Sequence, residues 1–145
     1  METAAAAHRH FPLRAADEAR PGEFTERDFA LIETVKSAIN ARMKVGCTGC
    51  RYCMPCPHHV DIPGTFAAYN RVYSEGRIAG FREYFMNTAL RRNSTGASMC
   101  VQCGHCESHC PQQIPIREKL KEAGKVLEGP IYKIGSKVVK SVMKY

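Results

Sequence analysis

Apolar residues between positions 25 and 46 recur at steps of three and four: Phe29, Ile32, Val35, Ile39 and Met43. That period predicts an amphipathic helix. Thr25, with Asp28 three residues on, supplies its starting cap, and Gly46 is placed to end it just before Cys47. A second helix is expected to begin near Pro63 behind an Asp61 cap. It turns Phe66, Tyr69, Val72 and Tyr73 inward and breaks at Gly76. A third runs from about Ile78 to Arg92 with Phe81, Phe85 and Leu90 on one side, and Asn93-Ser94-Thr95-Gly96 is a linker. Beyond Pro111, Ile114 and Ile116 flank Pro115, and a helix follows to about Glu128 with Leu120, Ala123 and Leu127 on its inner face. Gly129-Pro130 stops it. The last stretch, residues 131–145, gathers Ile134, Val138, Val142 and Met143 on one side, with Lys133, Lys137, Lys140 and Lys144 largely elsewhere. No segment alternates as a strand would. The expectation is an all-α protein: a tail over 1–23, a helical domain over 24–128, and a basic amphipathic helix over 129–145.

Composition narrows the class. A chain of 145 residues amounts to about one domain. No stretch reaches the ~20 apolar residues that cross a bilayer, and Ala4 to Ala7 is too short for a secretory core. The net charge of +7 raises nucleic acid as a partner, but the charge is spread and no basic–aromatic motif accompanies it. Nucleic-acid binding is therefore not expected. The lysines of the last helix leave contact with an anionic membrane surface as a lesser alternative.

The chemistry lies in the cysteines. All eight fall in two runs. The first is Cys47-Thr-Gly-Cys50-Arg-Tyr-Cys53-Met-Pro-Cys56-Pro57, and the second is Cys100-Val-Gln-Cys103-Gly-His-Cys106-Glu-Ser-His-Cys110-Pro111. The second matches, and the first falls one residue short of, the run C-x2-C-x2-C-x3-C-P. In two-cluster ferredoxins that run holds iron–sulfur clusters, with the fourth cysteine serving the other cluster. Proline after that cysteine turns the chain away, because it lacks an N–H and disfavours helix before it. The spacing thus predicts two [4Fe–4S] clusters, one on Cys47, Cys50, Cys53 and Cys110, the other on Cys100, Cys103, Cys106 and Cys56. Structural zinc more often takes two separated C-x2-C pairs, and disulfides need an oxidising compartment that nothing here suggests. Eight reduced cysteines point to the cytoplasm. Arg51, Tyr52, Gln102, His105 and His109 sit inside the loops, where hydrogen bonds or charge tune a cluster.

From Phe24 to Leu127 the chain resembles the C-terminal segment of the iron–sulfur-containing aldo/keto reductase family. The residues that carry the likeness are the first run with Val60-Asp61-Ile62-Pro63, and Cys103-Gly-His-Cys106-Glu-Ser-His-Cys110-Pro111-Gln-Gln-Ile114-Pro115-Ile116. That family shares the shortened first run, but more often has glycine where His59 stands. The resemblance implies an α-helical ferredoxin domain with two [4Fe–4S] clusters beside a reductase barrel. A (β/α)8 barrel needs ~250 residues, and the family's catalytic tyrosine, lysine, aspartate and histidine have no counterpart here. No catalytic residue is expected. The expected role is electron transfer to or from an oxidoreductase subunit or domain, either a separate reductase barrel or a flavoprotein. A non-redox structural metal module is the alternative.

Overall fold

The computed structural model describes residues 22–143. Most of the expected tail, and Lys144 and Tyr145, lie outside them. Among the described residues there are helices and no strand: α1 (Glu26–Arg42), α2 (Ile62–Ser74), α3 (Arg77–Thr88), a single 3-10 turn (Ala97–Met99), the short α4 (His105–Ser108), α5 (Ile116–Leu127) and α6 (Pro130–Val142). The fold is all-α, as the periodicity predicts. The chain divides into two compact units, one ending at Ile39 and the other beginning at Asn40.

Within the first unit, α1 opens on the expected cap. The Thr25 amide and hydroxyl both donate to the Asp28 carboxylate, at 2.8 and 2.7 Å. These bonds hold the Asp28 carboxyl below its ordinary range. The apolar stripe is present but none of its residues is buried. The helix stops at Arg42 rather than running on to Gly46. The reason lies on α2. Asn70 Oδ1 accepts from the amides of Lys44 and Val45, both at 2.9 Å, and its Nδ2 donates to the Val45 carbonyl at 2.7 Å. An amide side chain that bonds the backbone this way offers it an alternative to the helical ladder.

The second unit is built on α2, with α3 and α5 packed against it. Asp61 caps α2 by accepting from the Gly64 amide at 3.2 Å, and Pro63 occupies the first turn, where its missing N–H costs nothing. Ile62, Phe66, Ala68, Tyr69 and Val72 are buried, whereas Tyr73, expected inward, is 40 % exposed. Its ring packs edge-on to Tyr69 and beneath the Lys44 ammonium instead. Close packing of α2 and α3 relies on Gly80, where a Cβ would come within 2.7 Å of Val72 and of the Ala68 carbonyl. Helix α3 ends at Thr88, short of the expected Arg92. The Asn87 carbonyl is claimed by side chains, Arg91 Nε at 3.1 Å and Thr95 Oγ1 at 3.3 Å. On α5, Ile116, Leu120, Ala123 and Leu127 face the core.

Helix α6 leaves its apolar stripe uncovered. Ile134, Val138 and Val142 are exposed, and the helix enters the core through Tyr132, which is 5 % exposed. Tyr132 meets Tyr84 and Phe85, with ring centroids 5.2 and 5.9 Å apart. Burial is the main reason the Tyr84 and Tyr132 hydroxyls ionise above their ordinary value of 10.0, and at Tyr84 the Glu128 carboxylate adds to it. An unfolded chain would lose these protons first. The stability they contribute is fully present below pH 10.0 and lost as pH rises through the folded values. Denaturant midpoints are therefore expected to fall steeply above pH 10, and less steeply in Tyr84→Phe.

Candidate metal centre

The two cysteine runs adopt one backbone plan. Each C-x2-C-x2-C loop has two residues at positive φ, flanking its middle cysteine. They are Gly49 (+70°) and Arg51 (+65°) in the first loop, Gln102 (+64°) and Gly104 (+82°) in the second. After each fourth cysteine comes the same turn. The His59 amide donates to the Cys56 carbonyl at 2.9 Å, and the Gln113 amide to the Cys110 carbonyl at 3.1 Å. His59 and Gln113 are also at positive φ, +60° and +52°. A histidine at a position that favours glycine is thus accommodated in the left-handed region. Ile62 then opens α2 and Ile116 opens α5, each six residues past its cysteine, and both are buried. The first run is shorter by one residue, and there Met54–Pro55 is a cis peptide.

Each loop is approached by a clamped backbone. Before Cys47 the clamp is Asn70, through Lys44 and Val45. Before Cys100 it is a buried polar group. The Tyr84 hydroxyl donates to Glu128 Oε1 at 2.5 Å and accepts from the Ala97 amide at 2.7 Å. Glu128 Oε1 also accepts from the Ser98 amide at 3.2 Å. Thr88 Oγ1 lies 2.9 Å from the Tyr132 hydroxyl and donates to the Tyr84 carbonyl at 2.6 Å. Gly96 makes room, since a Cβ there would sit 2.5 Å from Glu128 Oε1. Sequence reasoning missed Asn70, Tyr84 and Glu128. No local signal marks them, because their partners lie 13 to 44 residues away.

The loops enclose two cavities. One is lined by Cys53, Cys56, Cys100, Cys103 and Cys106. The other is lined by Cys47, Cys50, Cys53 and Cys110. Cys56 thus turns away from its own run, and so does Cys110. Cys53 and Ile62 line both cavities, so the two share a wall. The middle cysteine of each loop, Cys50 or Cys103, is the exposed one. Val60, Leu120 and Arg117 complete the first cavity; Phe66, Ile114, Ile116 and Arg51 complete the second. His105 borders the first and His109 the second, their rings 4.7 Å apart. Tyr52 is 68 % exposed and lines neither.

Burial raises the Cys47 and Cys53 thiols above their ordinary value, and the sulfurs of Cys50 and Cys110 add to it at both. At Cys106, burial and then Glu107 push the thiol up to about 11. Buried thiols that oppose one another in this way favour a cationic centre that displaces their protons. Among the described residues, no three His, Cys, Asp or Glu side chains close on one point as a single ion requires. The sulfurs stand around volumes instead. A thiolate donor set in that arrangement fits an iron–sulfur core, which spreads its irons over several ligands.

No helix among the described residues is long and apolar enough to cross a membrane. Neither a curated protein nor a solved structure matches the chain. A family model does match: that of the 4Fe-4S dicluster domain, over residues 46–114. These residues span both cysteine runs and the helices between them, and they are an iron–sulfur, ferredoxin-like domain.

Proposed function

We propose that the domain holds two [4Fe–4S] clusters and passes single electrons to or from a partner oxidoreductase. Cys47, Cys50, Cys53 and Cys110 would hold one cluster; Cys100, Cys103, Cys106 and Cys56 would hold the other. The observation that carries this division is the exchange of fourth cysteines between the cavities. Each cluster, when bound, supplies a site that takes up and releases one electron.

The chain's own residues set the conditions for that chemistry. Val60, Ile62, Phe66 and Ile116 give the cavities dry, apolar walls. The shared wall at Cys53 keeps the two sites adjacent. Cys50 and Cys103 mark the solvent side of each set, where a partner can approach. The resemblance to the iron–sulfur aldo/keto reductases supports a reductase barrel as that partner, with a flavoprotein as the other candidate, and eight reduced cysteines support a cytoplasmic setting.

The test is a reductive titration of anaerobically reconstituted protein. Two one-electron sites predict uptake of about two electrons per chain with bleaching of the visible spectrum. A folded protein that takes up none would exclude a carrier role.

A further inference from the structure

The equivalence of the two loops exposes two asymmetries: Arg51 stands where the second loop has Gly104, and Gln102 where the first has Gly49. Gly49 and Gln102 occupy the same place, just before the middle cysteine, and share a left-handed backbone, at +70° and +64°. Glycine adopts that conformation without penalty; glutamine does not. The first loop shows that the fold needs no side chain there. At Gly49 an added Cβ would meet nothing within 4 Å.

The strained glutamine has a specific contact. Gln102 Nε2 lies 3.4 Å from Cys100 Sγ and 3.4 Å from the Arg117 carbonyl. A carbonyl oxygen only accepts, so the side-chain nitrogen, not its oxygen, must face this pair. Arg117 is itself fixed. Glu107 accepts from its amide and from its Nε, each at 2.9 Å. The amide is therefore held with an N–H aimed at a proposed cluster ligand.

Resting on the two-cluster reading above, we propose that Gln102 sets the reduction potential of the cluster on Cys56, Cys100, Cys103 and Cys106, raising it relative to what a glycine loop would give. A hydrogen bond to a ligating sulfur stabilises the more negative, reduced state, and such bonds are among the levers that set cluster potentials. The other cluster has no equivalent donor at Gly49. Arg51, His59 and Gln113 share the left-handed region, so strain alone marks no function; what singles out Gln102 is its contact with Cys100 Sγ.

The experiment uses the full chain, loaded anaerobically, as wild type, Gln102→Gly and Gly49→Gln. Iron and sulfide content, the denaturant midpoint and a potentiometric titration are measured on each. Gln102→Gly is expected to keep its iron and sulfide, to be no less stable, and to move one couple to lower potential while the other stays. Gly49→Gln is expected to raise the couple that Gln102→Gly leaves alone. Fully loaded Gln102→Gly with both potentials unchanged, or with both moved equally, overturns the assignment. So does movement of the same couple in both variants. Wild type that binds no iron or sulfide would instead sink the two-cluster reading, and this proposal with it.

Discussion

Cys110→Ser is expected to disable the cavity of Cys47, Cys50 and Cys53, although its neighbours in sequence are Cys103 and Cys106. The Cys110 side chain lines the former cavity and is absent from the lining of the latter. Iron and sulfide should fall to about half of the wild-type content, since one of two sites loses a ligand. Double variants separate crossing from local pairing. With crossing, Cys47→Ser with Cys110→Ser strikes a single site and leaves about half the iron. Cys106→Ser with Cys110→Ser strikes both and leaves little. If each run served its own cluster, the two double variants would exchange these outcomes. Metal analysis of the four proteins decides between them.

The second large effect is expected at Glu128. Replacing it by alanine strips a partner from the buried Tyr84 hydroxyl and from the part-buried Ser98 amide. A buried donor left without a partner costs about 1–3 kcal/mol, so Glu128→Ala should lower unfolding stability by about 2 kcal/mol. Glu128→Gln keeps an acceptor oxygen in place and should lose markedly less. The same substitution frees the Ala97–Met99 turn immediately before Cys100, so slower reconstitution of the adjoining site is expected alongside. Equilibrium denaturation of the three proteins measures the first effect. A loss below about half a kcal/mol in Glu128→Ala would show that the carboxylate is not structural, since surface changes typically stay within that range.

How much of this was legible beforehand differs from residue to residue. The cysteine runs were, because cluster ligation imposes a spacing that little else produces. So were the Asp61 cap and the buried face of α5, where Leu120, Ala123 and Leu127 obey the helical period. The end of α1 was not. Gly46 carried the familiar stop signal, but a side chain on a later helix, Asn70, ends it four residues earlier at Arg42. The periodic faces of α1 and α6 were legible as helices, but the period does not say what covers them. Their apolar residues are exposed, and α6 is held by Tyr132, which the period did not single out. The Tyr84–Glu128 clamp was hidden for the same reason as Asn70: it joins residues 44 apart, and neither one is apolar by pattern. Gln102 was visible only as a loop residue among several. Its weight comes from the structural equivalence with Gly49, which two runs of unequal length and different filler residues do not display.

The most direct measurement of the central claim is the iron and acid-labile sulfide content of the full chain after oxygen-free reconstitution. Two [4Fe–4S] clusters predict about eight of each per chain. A folded protein that takes up zinc in their place, with no sulfide and no visible colour, would contradict the account.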